Sequence, residues 1–362
     1  MAKRAKMRAL SGWLNFDKPQ NMSSMQAVHK IRHLFQAQKA GHAGTLDPLA
    51  TGVLPIALGE ATKTIPYLVK AEKEYHFTIK WGTATVSDDS TGRIVPPDDK
   101  RLKDKQPSDK QPSNKQLRDK QPSNKQLSDK RPSKAEICAV LPQFCGTIWQ
   151  KPPAFSALKI NGQRAYKLAR QGAAVELAAR QVHIKTFDLL DIPHKDYARF
   201  SVCCGKGTYI RALARDLAEI LGAVGHVTQL RRIRVGQFTQ KNIIRLDKFS
   251  NLGHSADTAE ASDTGDNLFD MLLLPLAVAL DDIPALTVSP KQAENIRQGQ
   301  PIVCSKQFFC DDARAQTQQN NETKHTRSFR DHVLAMRADM PVALGFIEKG
   351  RFWPARVFNL AG

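Results

Sequence analysis

What this chain of 362 residues lacks narrows it first. No apolar run approaches the roughly 20 residues that a membrane-spanning helix needs, so no spanning segment is expected. The first residues, MAKRAKMRALSGW, are basic but hold no apolar stretch, so a secretory signal is not expected either. The six cysteines (Cys138, Cys145, Cys203, Cys204, Cys304 and Cys310) form no CxxC pair and no Cys/His zinc spacing. They read as reduced thiols of a cytoplasmic protein, not as a disulfide framework or a metal site. Acid is also short: 35 Asp and Glu face 54 Lys and Arg, a formal net charge of +19. Such an excess points to a polyanionic partner, and nucleic acid fits through phosphate neutralisation and counterion release. Charge alone separates neither RNA from DNA nor binding from catalysis.

The scarcity of charge is sharpest in one place. AGHAGTLDPLATGVLPIALGEATK, residues 40–63, places Asp47 among apolar residues, with Glu60 the only other formal charge before Lys63. Pro48 biases Asp47 away from helical backbone, and Gly44 and Gly52 permit tight turns and close approach of a ligand. Two readings fit such an acid. It caps a turn through its own backbone, as Asp commonly does, or it stays ionised in a poorly solvated site as a nucleophile or base. No ligand cluster accompanies it, so a metal is not expected there.

Along the chain, two folded stretches flank a polar one. GWLNFDKP reads as a strand ended by Pro19. Ser23 or Ser24 then caps an expected helix with Met25, Val28, Ile31 and Leu34 inward and Gly41 as its stop. KEYHFTIKWGTAT alternates strictly, with Tyr75, Phe77, Ile79 and Trp81 on one face, as in a half-buried strand. Residues 97–134 repeat a ten-residue unit rich in Lys, Gln, Pro, Ser and Asp. That composition buries too little to offset ordering entropy, so an unfolded insertion is expected. RFSVCC reads as a strand, and GKGTYIRALARDLAEILG as a turn entering a helix whose stripe is Ile210, Leu213, Leu217 and Ile220. Arg211 lies off that stripe, where a surface ion pair is one reading and a counter-charge for a buried Asp47 the other. A polar linker is expected at 250–267 and a long loop at 305–331, within a β-rich C-terminal part. Strands and helices mix without βαβ regularity, so the class is α+β. Tyr75 is either a core aromatic or a stacking platform for an unstacked base, and His42 is placed for similar work.

These residues resemble a known family. LNFDKPQNMSS, KAGHAGTLDPLATGVLPIALGEATK, EKEYHFTIKWG, KPPAFSALKINGQRAY, CGKGTYIRALARDLA and LRRIRVGQF occur in the order of the TruB family of tRNA pseudouridine-55 synthases. The resemblance covers nearly all of 11–96 and 135–245 and is looser over 270–362. It implies a pseudouridine synthase catalytic domain over 11–282, with a mixed, mainly antiparallel sheet. A small PUA-like RNA-binding module would follow over 283–362. By position, it implies that Asp47 is the catalytic aspartate and Arg211 its partner. Tyr75 would stack on the target uracil, and Tyr209 would hydrogen-bond near the aspartate. Leu230 would line the uridine pocket, and His42 would help hold the flipped-out loop. One departure is GTATVSDDSTG, where the family often has GxxTDTxDxxG: Val86 replaces a common Asp and Asp89 is retained.

The implied reaction isomerises uridine 55 in the T loop of tRNA to pseudouridine, with no cofactor and no metal. The implied protein is a cytoplasmic monomer whose partner is the T arm of tRNA. A carboxylate can serve it by adding to the sugar, adding to the base or assisting a glycal route. Two other expectations stay open: a guide-RNA-dependent synthase of the related branch, and an RNA-folding chaperone or binding protein.

Overall fold

The computed structural model describes residues 7–96, 130–173, 175–249, 269–304 and 332–360. Most of the expected insertion (97–129), the expected linker and the expected 305–331 loop lie outside these residues. The last residues of the insertion lie inside them: Ser133 caps the next helix through a capping box with Glu136.

Among the described residues the strands are β1 (Gly12–Lys18), β2 (Ala40–His42), β3 (Thr51–Leu58), β4 (Lys73–Trp81), β5 (Gly146–Gln150), β6 (Lys159–Ile160), β7 (Gln163–Arg164), β8 (Arg180–His194), β9 (Tyr197–Cys204), β10 (Gly225–Val235) and β11 (Phe238–Thr239). Beyond them come β12 (Ala285–Thr287), β13 (Ile302–Val303), β14 (His332–Arg337), β15 (Met340–Glu348) and β16 (Arg351–Val357). The helices are α1 (Ser24–Leu34), α2 (Ile65–Lys70), α3 (Lys134–Val140), α4 (Ala165–Arg170), α5 (Ile210–Ile220) and α6 (Pro290–Arg297).

The main sheet runs β1-β3-β10-β4-β9-β8-β5, with β2 beside β3 and β11 beside β10. Its pairings are antiparallel except β3 with β10. β4 is central, and the alternation expected for it is present: Tyr75, Phe77, Ile79 and Trp81 are all buried. Their face packs against α5, whose buried residues include Ile210, Leu213 and Leu217. Gly222, in the left-handed region at φ +67°, stands just beyond the end of that helix.

Helix α1 departs from expectation twice. Ser23 caps it, with Gln26 reaching back to complete a capping box. Its inward face is Ser24, Ala27, Val28 and Ile31, whereas Met25 is exposed. The Ser24 hydroxyl is drawn inward because it bonds both the N–H and the C=O of Leu46. The helix also stops at Leu34, not at Gly41. Gln36 takes a left-handed turn at φ +49°, and residues 40–42 pair with β3 instead.

A second sheet, β12-β14-β15-β16-β13, closes over its own core of Leu286, Ile296, Val333, Val342 and Phe352. It seats on residues 59–70. Leu334, Leu344 and Phe358 pack with Ala61, Tyr67 and Leu68. Lys63 donates to the Val357 carbonyl at 2.8 Å, and Tyr67 meets His332 at 2.6 Å. That seat leads within a few residues into β4 and Tyr75.

Candidate active site

Asp47 lies in the loop between β2 and β3, and that loop is strapped from three sides. Ser24 holds Leu46 by both backbone groups. Asn21 donates its backbone N–H to the Pro48 carbonyl at 2.8 Å. Arg232, on β10, donates from Nη2 to the Gly44 carbonyl and from Nε to the Val53 carbonyl, at 3.0 and 2.7 Å. Both glycines take positive φ, +100° at Gly44 and +101° at Gly52, and Gly52 has a second reason. A Cβ there would stand 2.2 Å from the Arg232 carbonyl oxygen.

The Asp47 carboxylate does not cap its own turn. Its Oδ2 accepts from Arg211 Nε at 2.8 Å, across 164 residues of sequence. Arg211 is held on every side: Nη1 donates to the Ser87 carbonyl and Nη2 to the Phe155 carbonyl, each at 2.9 Å. Asp89 stands 3.5 Å from the same Nε. The Arg211 side chain is 4% exposed and the Asp47 side chain 32%. The cation is therefore enclosed while the acid keeps an open edge. Burial would lower the Arg211 pKa, but the Asp47 and Asp89 charges hold it above the ordinary value.

Arg211 was expected off the helix stripe, and it is, yet it is buried. The loop over residues 83–95 and the segment after β5 close over that second face of α5.

Tyr75 is buried at the start of β4, opposite Arg232 of β10. Burial raises its pKa, and the adjoining Arg232 guanidinium opposes that shift. Leu230, also buried, pairs with Phe77 two residues along the same ladder. His42 ends β2. Burial lowers its pKa, the Arg232 charge adds to this, and its Nδ1 has no hydrogen-bond partner. Tyr209 is the N-cap residue of α5. Gln150 holds its N–H at 2.8 Å and its carbonyl at 3.1 Å. The Arg180 guanidinium lies 5.0 Å from the centre of its ring. The Tyr209 hydroxyl makes no hydrogen bond to the Asp47 carboxylate.

The structure thus gathers Asp47 and Arg211 directly, and Tyr75 and His42 around Arg232. Leu230 and Tyr209 sit on the elements that frame them.

Several supports were not singled out in the sequence. Lys18 is buried and donates to the Pro19, Met22 and Pro48 carbonyls. Burial lowers its pKa to about 8, against the pull of Asp47. Arg232 is 1% exposed and bonds no carboxylate. A buried cation held by carbonyls leaves no pattern in sequence. The only hint was the charge in LRRIRV, in a strand that otherwise reads as apolar. Among the described residues no cluster of three or more His, Cys, Asp or Glu gathers to hold a metal, and no described helix is long and apolar enough to cross a membrane. A carboxylate with a fixed cation and an open edge, beside aromatic and aliphatic surface, can stabilise positive charge developing on a bound molecule.

Comparison with known proteins bears on this arrangement. The model of the TruB family pseudouridylate synthase N-terminal domain matches residues 32–123 and 113–210. That of the tRNA pseudouridylate synthase B C-terminal domain matches 211–281. The chain is 42% identical over 360 residues to tRNA pseudouridine synthase B of Caulobacter vibrioides, covering 99% of this chain and 100% of that protein. It is 40% identical over 363 residues to the Bartonella tribocorum protein of the same name, covering 99% of each. Among solved structures, a chain of an H/ACA ribonucleoprotein bound to a substrate RNA superposes with TM-score 0.62 at 20% identity, over 96% of this chain and 85% of that one. A chain of an archaeal Nop10–Cbf5 complex gives 0.61 at 21%, over 99% and 89%. Those two share the fold.

Proposed function

The chain belongs to the TruB family of pseudouridylate synthases, and from that premise we propose that it converts uridine 55 in the T loop of tRNA to pseudouridine. The reaction breaks the N1–C1′ bond, turns the uracil, forms a C5–C1′ bond and moves the C5 proton away while N1 gains one. Nothing is oxidised and no group leaves the molecule, so the chemistry calls for no cofactor. The sugar carbon passes through oxocarbenium-like character, as in glycoside cleavage.

Asp47 is the group that meets this charge. The observation that carries the reading is the asymmetry of the pair: Arg211 is enclosed and fixed by three acceptors, while the Asp47 carboxylate keeps an open edge. Arg211 holds the Asp47 carboxylate in its orientation. Tyr75 and Leu230 supply the surface that keeps the detached uracil in place, and His42 and Tyr209 border it. The target base lies inside a folded loop and must leave its stack to reach Asp47. The net charge of +19 and the exposed Lys30 and Arg32 of α1 suit phosphate contacts along the T arm.

The test is incubation of the purified protein with an unmodified tRNA transcript, without guide RNA or partner proteins, followed by chemical mapping of pseudouridine. Product at position 55 is expected. Product at another position would refute the site, and product only with a guide would refute the stand-alone reading. Binding without product would point to a chaperone.

A further inference from the structure

Helix α5 carries a second arginine one turn beyond Arg211, and both hold the same two segments. Arg211 faces Asp89 and bonds the Ser87 carbonyl; Arg215 bonds Asp88 through Nη1 at 3.1 Å. Arg211 reaches the Phe155 carbonyl, and Arg215 the Lys151 carbonyl at 2.8 Å. Residues four apart share a helix face, so two consecutive aspartates are received by two successive arginines. Asp88 makes the divergence possible. It takes φ +61°, a left-handed conformation that Asp tolerates better than most residues. The turn is also pinned to β10: Val227 donates to the Asp88 carbonyl at 3.1 Å, and Ser90 donates to the Val227 carbonyl at 2.9 Å. Asp216 aligns the Arg215 guanidinium, accepting from its Nε at 2.9 Å.

We propose that Arg215 is a positioning residue for the reaction: through Asp88 and the Lys151 carbonyl it fixes the 87–89 turn and the 151–155 segment on α5, and so sets Asp89 and aims Arg211 at Asp47. The inference rests on the reading of Asp47 given above. Arg215 touches no reacting atom. Its side chain and that of Asp88 are 17% and 19% exposed, so the pair is largely shielded from solvent and its geometry is held.

The experiment compares Arg215→Met, Arg215→Lys, Asp88→Asn, the Arg215→Met/Asp88→Asn double variant and Asp47→Asn. It measures single-turnover pseudouridine formation on unmodified tRNA, tRNA affinity and thermal midpoint. Arg215→Met is expected to slow the chemical step about tenfold, since a small displacement of reacting groups is costly, with affinity nearly unchanged. Asp88→Asn should slow it similarly, the double variant should be no slower than the slower single one, and Arg215→Lys should recover part of the rate. Losses that multiply in the double variant, or an Arg215→Met that melts earlier yet reacts at the normal rate, would overturn the inference. If Asp47→Asn is inactive while Arg215→Met is normal, only the positioning role fails. If Asp47→Asn reacts normally, the reading beneath it fails as well.

Discussion

Arg232 donates from Nη2 to the backbone carbonyl of Gly44 at 3.0 Å, so a cation buried in β10 holds the loop that presents Asp47 three residues later. Its Nε holds Val53 on the other side of the same loop, and its guanidinium adjoins Tyr75. One side chain thus ties the acid's loop to the aromatic beside it.

Replacing Arg232 by Met removes the donors to the Gly44 carbonyl of the Asp47 loop and the Val53 carbonyl of β3. Each unsatisfied buried acceptor costs about 1–3 kcal/mol, so Arg232→Met should lose roughly 2–6 kcal/mol of stability. Arg232→Lys keeps the charge without the two-point reach and should fall between. Denaturant midpoints measure both.

Asp47→Asn keeps the shape and removes the charge. Turnover on tRNA should drop by on the order of a thousandfold or more, as for loss of a charged catalytic group, while tRNA affinity changes little. Filter binding run beside the activity assay separates the two. Arg211→Ala should also be severe, because it opens a buried site and leaves Asp47 and Asp89 without their shared cation.

Tyr75→Leu trades a buried ring for a smaller aliphatic side chain, so stability should fall by about 1–3 kcal/mol. Activity should fall far more, because the stacking ring is gone. Tyr75→Phe keeps the ring and should retain more activity than Tyr75→Leu. Equal activity in all three forms would remove Tyr75 from the site.

Burial lowers the Lys73 pKa from 10.5 to about 8, and the Arg232 charge adds to this. Between those two values the folded chain binds fewer protons than the unfolded one, so this lysine makes stability rise with pH across that window. The destabilisation is complete below about pH 8 and relieved near 10.5. The stability difference between wild type and Lys73→Met should therefore shift toward wild type over that range, by at most about 3 kcal/mol. Urea titrations at fixed ionic strength measure it.

Much of this was legible beforehand where the information is local. Alternation in KEYHFTIKW marked β4, because side chains on a strand point to opposite faces. The Ser23 cap marked the start of α1, because a hydroxyl satisfies a free N–H of the first turn. Met25 misled because an apolar residue counts toward a stripe wherever it falls, whereas Ser24 was drawn inward by two backbone bonds to a loop 22 residues away. Read by itself, Asp47 fits a turn cap first. Its true partner is a guanidinium on a distant helix, and no local pattern encodes that.

The excess of cations, strands β1, β4 and β9, the start of α1, helix α5 and the resemblance to the family can all be read from the residues in order. Each depends on composition, short-range periodicity or matched motifs. Packing between distant segments is what encloses Arg211 while leaving Asp47 an open edge. It alone set Arg215 against Asp88 and buried Arg232 among carbonyls. Those outcomes depend on which surfaces close over one another. A charged side chain becomes a buried partner or a solvated ornament according to what distant segments fold across it.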